Sequence, residues 1–309
     1  MTAIEAVATY LPERRVGIDT LADGLGLTSM QLRMFKRYHG LAEVRWDPDA
    51  SLLDLLLAAA SRLDALRGRE HLVRYVLYAR AFGVVVPYPL NPLHDVCRRL
   101  GLGHAVALTL THQSCATGLL ALDVAGRLLA ADEDPESLVL VLAGEKAFTR
   151  DSQLLPETSI FGEGASACLV RGSGPRDRLL SYATNLRGEF DDELAAAATF
   201  FQREYHTSLG DVILAALKEA GVDLDKISLI LPHNVNVVSW QRMCRRIGFP
   251  VERVLLDNVP VMGHVFCADA FLNYQTARDR GLLRPGDIYL IAAAGAGLGA
   301  TFSAMVFEH

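Results

Sequence analysis

Apolar residues along the chain come in two periods. Leu52 to Leu66 repeats them at helical spacing, and Leu119 to Leu129 is an apolar helix following the turn at Gly118. Short unbroken apolar runs alternate with these helices: Ile4 to Ala8, runs within Val73 to Val86, Ala105 to Leu110, Ser137 to Ala143 and Ala165 to Val170. Runs of that length bounded by turn residues predict buried strands. Pro92 to Leu100 has helical character, with Arg98 and Arg99 near its end and Gly101 to stop it.

The polar, turn-rich stretch Arg171 to Arg176 is the predicted boundary between two halves, residues 1–172 and 173–309. The same alternation resumes beyond it. A helix is expected near Leu209 to Ala220, a strand at Ile227 to Leu231, a helix after Asn236, a strand at Val254 and a helix from Ala268 to Arg280, followed by terminal strands. This order implies mixed or parallel sheets covered by helices, an α/β architecture. No repeat is visible in the residues themselves.

Composition narrows the function classes. In 309 residues, 51% are hydrophobic and 21% charged, the profile of a folded globular chain. A formal net charge of −6 offers no basic field for phosphate backbones, so no nucleic-acid partner is expected. Cys97, Cys115, Cys168, Cys244 and Cys267 form no CxxC pair and are too sparse for a disulfide framework. Together with an N-terminus lacking a basic region ahead of an apolar core, they predict a cytoplasmic protein. The uncharged stretch Ile288 to Phe307 is long enough to span a bilayer. Its glycine centre, Gly295 to Gly299, predicts strand, turn, strand instead, and no membrane partner is expected.

Candidate chemistry sits at the strand ends. Cys115 lies where a strand turns into a helix, near unsatisfied N–H groups that favour a thiolate, so its position fits a nucleophile as well as a small core residue. His233 and Asn236 follow a buried strand, at the edge where α/β sheets bind ligands, and His264 follows Gly263 at a helix entrance. Backbone N–H groups around Gly297 and Gly299 can approach a reacting oxygen or simply serve a turn. No metal or cofactor is called for.

These motifs, in this order, resemble the type III β-ketoacyl-[acyl-carrier-protein] synthases of the thiolase superfamily. The resemblance runs from Tyr10-Leu11-Pro12 through Ser114-Cys115-Ala116-Thr117-Gly118 and Phe161-Gly162-Glu163-Gly164-Ala165. It continues at Pro232-His233, Asn236, Gly263-His264, Leu283 to Asp287 and the terminal glycines. It implies a thiolase-like, pseudo-duplicated five-layered αβαβα fold, normally a homodimer, acting on an acyl thioester carried by a carrier protein or coenzyme A. It further implies Cys115 as acyl-accepting nucleophile, His233 and His264 as catalytic histidines, Asn236 as a substrate-binding residue, and an oxyanion hole from backbone N–H groups of Cys115, Gly297 and Gly299.

The chain departs from the pattern in three places. His264 stands where most members carry asparagine, an arrangement that resembles the Cys-His-His site of elongating ketoacyl synthases. Leu32 to Gly40 lacks the tryptophan that packs on coenzyme A, and Val237-Val238 replaces the arginine after the His-x-x-Asn segment. Arg242, Arg245 and Arg246 follow, either a carrier contact or a solvated helix face. Two activities fit: condensation of acyl-Cys115 with a malonyl-type thioester, in specialised fatty-acid or polyketide-type biosynthesis, or transfer of the acyl group to a hydroxyl or amine without decarboxylation.

Overall fold

The computed structural model describes residues 2–83, 86, 87, 89–190, 194–297 and 299–309. Nine strands form one continuous mixed sheet. From edge to edge they are Ile227–Pro232, Ile288–Gly297, Gly299–Glu308, Arg178–Arg187, Ala3–Tyr10, Gly164–Arg171, Leu138–Glu145, Val73–Ala79 and Val106–Leu110. The pairing scheme occurs twice. In the first half Ala3–Tyr10 pairs antiparallel with Gly164–Arg171, which pairs antiparallel with Leu138–Glu145, and that strand runs parallel to Val73–Ala79. In the second half Arg178–Arg187, Gly299–Glu308, Ile288–Gly297 and Ile227–Pro232 repeat the sequence of antiparallel, antiparallel, parallel. The two schemes meet where Ala3 faces Arg178.

Alternation along each strand sorts the side chains into layers, because successive residues point to opposite faces. Val139, Val141, Cys168 and Val170 face inward with Leu231, Ile291, Met305 and Phe307, against helices Thr117–Ala131 and Asp269–Asp279. Leu138, Leu140, Leu142 and Leu169 face outward onto helices Leu52–Ala60 and Pro92–Arg99. Ile230, Leu290, Phe302 and Ala304 face outward in the other half onto Leu194–Ala220 and Val237–Ile247. The result is the five-layered αβαβα thiolase-like fold that the motifs imply. Strand Leu138–Glu145 lies between the central helices and the outer ones, which is why it is buried along its whole length.

Local signals set many boundaries. Ser51 accepts the N–H of Asp54 in a capping box, Asn91 caps a helix that opens with Pro92, and Gly248 closes helix Val237–Ile247 at a φ of 75°. Several expectations need correction. The helix from Leu52 ends at Ala60, with Asp64–Leu66 forming a separate 3₁₀ turn, and the helix expected from Leu209 starts at Leu194. Val254 makes only an isolated bridge to Ile230, since the chain turns into the helical segment Val259–Met262 before a ladder can form. The run from Val73 gives a strand to Ala79, while its residues Val84 and Val85 lie outside the described residues. The terminal apolar stretch is an antiparallel strand pair, with Leu298 of its turn outside the described residues. Among the described residues one helical window, Ser114–Ala131, is long and apolar enough to cross a membrane, and its helix forms part of the central layer.

Candidate active site

Cys115 lies in a 3₁₀ turn, Ser114–Ala116, that leads directly into central helix Thr117–Ala131. Close backbone approaches hold that turn. A Cβ on Gly118 would sit 2.7 Å from the carbonyl oxygen of Cys267, and one on Gly295 would sit 2.2 Å from the carbonyl oxygen of Gln113 and 3.0 Å from the Cys115 nitrogen. Strand Ile288–Gly297 therefore presses its backbone onto the nucleophile turn, and only glycine permits it. The chain is forced into the left-handed region on approach, with φ of 74° at His112 and 47° at Ser114. The His112 side chain is exposed.

His264 arrives from the other half. Gly263 adopts a φ of 67° with room for no Cβ, because Ile160 O lies 2.7 Å from where it would be. Its turn lets the His264 N–H donate to Ile160 O at 3.2 Å, while Gly162 N–H donates to His264 O at 2.9 Å. The Phe161-Gly162-Glu163-Gly164 motif thus serves as a rail for the histidine, and the Phe161 ring stacks on the imidazole with centroids 4.6 Å apart.

Cys115, His233 and His264 line one cavity of 260 Å³, together with Gly299, Ala296, Phe82, Phe161, Phe201 and Phe266 among others. All three are buried, with 7%, 2% and 2% of their surface exposed. The two histidine rings lie 5.7 Å apart. Their surroundings differ. His264 Nδ1 is 2.5 Å from Asp269 Oδ2, a separation that requires a proton on that nitrogen and leaves Nε2 for Cys115. Burial alone works against a charge on His264, yet the Asp269 carboxylate and, after it, the neighbouring Cys115 outweigh burial and raise its pKa to about 10. Asp269 is itself held by N–H groups of Asn234 and Val265 at 2.6 and 2.7 Å and by the Asn234 amide at 3.2 Å.

Among the described residues no carboxylate bonds to His233. Its Nδ1 lies 3.4 Å from Ala292 O, an acceptor only, so the proton belongs on Nδ1 and Nε2 accepts from the Tyr205 hydroxyl at 3.0 Å. Burial, and secondarily the charge of His264, lower its pKa to about 3. Trp240 Nε1 donates to the His233 carbonyl at 2.9 Å and fixes the backbone there.

Asn236 stands apart from the nucleophile cavity. Its Oδ1 caps helix Val237–Ile247 by accepting the Ser239 N–H at 2.7 Å, and its Nδ2 donates to Thr158 O at 2.9 Å. It lines a second cavity of 320 Å³, with Met34, Tyr38, His39 and Arg242 among its walls, that shares Thr158 and Phe201 with the first. Gly297 and Gly299 face each other across the strand pair beside the nucleophile turn. Sequence reading missed Asp269 and Tyr205. Asp269 sits five residues after His264 at a helix start, a spacing that carries a signal only once the histidine is known to need an orienting carboxylate. Tyr205 carries none, since its helix was expected to begin after it.

Comparisons with known proteins bear on the family and the fold. Residues 217–309 match the family described as 3-oxoacyl-[acyl-carrier-protein] synthase III, C-terminal. The β-ketoacyl-[acyl-carrier-protein] synthase III of Ruegeria pomeroyi is 26% identical over 319 residues, covering 96% of this chain and 95% of its own. The chain is a type III ketoacyl synthase-like enzyme. Among solved structures, 3-oxoacyl-[acyl-carrier-protein] synthase III of Aquifex aeolicus superposes on this ketoacyl synthase-like chain with a TM-score of 0.85 at 21% identity, covering all of both chains. ChlB3, described as an acyltransferase, does so with a TM-score of 0.86 at 21% identity over 99% of this chain and 97% of its own. Those two likenesses speak for the fold alone.

Proposed function

We propose that this enzyme takes an acyl group from a thioester onto Cys115 and hands it to a hydroxyl or amine, with residues 1–172 supplying the nucleophile and residues 173–309 the base. The observation that carries this reading is the placement of His264 between Cys115 and Asp269: nucleophile, base and orienting carboxylate in line. In the first half-reaction the Cys115 thiolate attacks the thioester carbonyl, a new C–S bond forms, and the donor's C–S bond breaks as its thiolate takes the proton from His264 Nε2. Backbone N–H groups at Cys115, Gly297 and Gly299 fit the oxyanion formed on the way. Having given that proton to the departing thiolate, the imidazole is neutral for the second half-reaction. It then takes the proton of the acceptor as the acceptor attacks, and Cys115 leaves as thiolate.

Condensation with a malonyl-type thioester is the second reading, favoured by two imidazoles lining one cavity. It asks both to donate to an enolate oxygen. His264 can, whereas His233 in the Nδ1–H form presents to Tyr205 a nitrogen that accepts. Supply of malonyl thioesters on coenzyme A and on carrier protein, without a primer, separates the two. Transfer chemistry predicts acyl-Cys115 from simple acyl thioesters, its discharge only by an acceptor, and no carbon dioxide. Steady release of carbon dioxide that disappears in His264→Ala would establish condensation instead. In either case Cys115→Ala abolishes the acyl-enzyme in intact-protein mass spectrometry, and a label on another cysteine overturns the nucleophile assignment.

The second cavity suits the arm of the donor, because it leads from the surface beside Arg242 to the walls it shares with the nucleophile cavity. We assign Asn236 there to shaping that passage. We also assign the enzyme to the cytoplasm, to specialised acyl metabolism of fatty-acid or polyketide type, and to a homodimer. Strand Val106–Leu110 ends the sheet with Val106 52% and Leu108 40% exposed, an apolar edge of the sort that a second copy covers. Light scattering at micromolar concentration checks the dimer, and a fully active monomer would remove it.

A further inference from the structure

One buried carboxylate near the nucleophile has no part in the acyl-transfer steps. Glu145 ends the central strand Leu138–Glu145 with none of its surface exposed. Its Oε2 accepts the Ala81 N–H at 2.8 Å and its Oε1 the Phe82 N–H at 2.9 Å, just beyond the neighbouring strand Val73–Ala79. Both Ala81 and Phe82 line the Cys115 cavity, and the Phe82 ring stands edge-on to Phe266 at 5.3 Å. Two further bonds brace the same corner: Arg80 donates to Gly83 O at 2.8 Å, and the Tyr78 hydroxyl donates to Gly144 O at 2.8 Å.

We propose that Glu145 is a positioning residue: its carboxylate clamps the Ala81–Phe82 corner and thereby fixes the wall that limits which acyl groups Cys115 accepts. Burying a carboxylate is costly unless its bonds are needed. Here each oxygen is matched to one backbone N–H, an arrangement that only a group with two acceptors satisfies. An amide in its place turns one acceptor into a donor and points it at an N–H. The Phe82 backbone is then freed on one side, and the cavity wall gives way.

Protonation has a similar effect without mutation. Burial raises the Glu145 pKa to about 7, against the pull of the two N–H groups, Arg80 and His264. The other ionisable groups facing it do not titrate near neutrality: Tyr78 and Cys267 are pushed up by burial and His264 sits at about 10. As pH falls through about 7 one oxygen of Glu145 becomes a donor and the clamp loosens.

This inference rests on the reading of Cys115 as the acylated residue. The test measures initial rates of Cys115 acylation by a short and a long acyl thioester in intact-protein mass spectrometry, and takes the long-to-short ratio so that effects on the thiolate cancel. In Glu145→Gln the ratio rises about tenfold, the equivalent of one buried hydrogen bond. In the parent enzyme it is higher at about pH 6 than at about pH 8, whereas in Phe82→Ala it is high at both. A folded Glu145→Gln protein with the parental ratio overturns the proposal. If that variant does not fold, the parent decides alone, since a ratio that is flat with pH overturns it equally. Absence of any acyl-Cys115 in the parent is a different result: it sinks the acyl-enzyme reading, and the proposal with it.

Discussion

His233 and His264 share a cavity and an exposure of 2%, and they behave as opposites. The His233 backbone is bonded to strand Ile288–Gly297 and the His264 backbone to Ile160 and Gly162, and their rings are only 5.7 Å apart. One meets a carbonyl and a phenol and is held neutral, with its pKa lowered to about 3; the other meets a carboxylate and a thiol and is raised to about 10. Desolvation acts on both in the same direction. What separates them is above all the Asp269 carboxylate, and under the proposed transfer reading that difference gives proton transfer to His264 and a wall to His233.

The sharpest way to break this contrast is to remove each ring in turn. His264→Ala should lower acceptor-dependent turnover by about 10²–10⁴-fold, the range of a lost general base, in an assay of acyl-Cys115 discharge. His233→Ala should cost much less, and an equal loss would make the two histidines a pair. Next in size is Asp269→Asn, which keeps the His264 ring but removes the charge that raises it. The pH at which alkylation of Cys115 by iodoacetamide changes rate should move toward neutrality, because His264 would lose its proton at lower pH. No movement would mean that Asp269 serves only to shape the backbone around Asn234 and Val265.

Stability should show the same contrast with opposite signs. His264 binds its proton more tightly folded than unfolded, so it contributes stability fully present below the ordinary histidine pKa of 6.5 and lost as pH rises toward about 10. His233 binds its proton less tightly folded, so its contribution is present above 6.5 and lost as pH falls toward about 3. Each slope can reach about 1.4 kcal/mol per pH unit. Urea midpoints across pH should therefore lose their alkaline slope in His264→Gln and their acidic slope in His233→Gln, and variants that leave both slopes unchanged would refute the assignment. The smallest effect is expected from Tyr205→Phe. It removes one neutral hydrogen bond to His233, worth about 1 kcal/mol, and frees Nε2 to take a different tautomer. If the second reading has any force, carbon dioxide release from malonyl thioesters should appear or increase in this variant.

Much of the scaffold was legible because its signals are local. The apolar runs at Ser137 to Ala143 and Ile227 to Leu231, the Asn236 cap and the obligatory turn at Gly263 each depend on a few neighbouring residues. Strand Arg178–Arg187 was not legible. All but two of its ten residues are exposed or partly exposed, so its side chains mix polar and apolar types and neither period stands out. Helix Leu194–Ala220 was read too short for a related reason: its first turns have no clear polar face to mark them.

By itself, then, the sequence determined most of the order of strands and helices, the place of Cys115 at a strand-to-helix turn, of His233 after a buried strand and of His264 at a helix entrance. The duplicated pairing scheme was decided only by the tertiary structure, since backbone hydrogen bonds repeat while the residues making them do not. So was the placement of Cys115 beside His264, residues that lie far apart in the chain and meet because Gly118 and Gly295 let the backbones close on each other. The charge of each histidine was decided there as well. Asp269 is near His264 in sequence, but its pull on the imidazole is large only because both are buried, and burial is a property of the packed layers rather than of any local stretch.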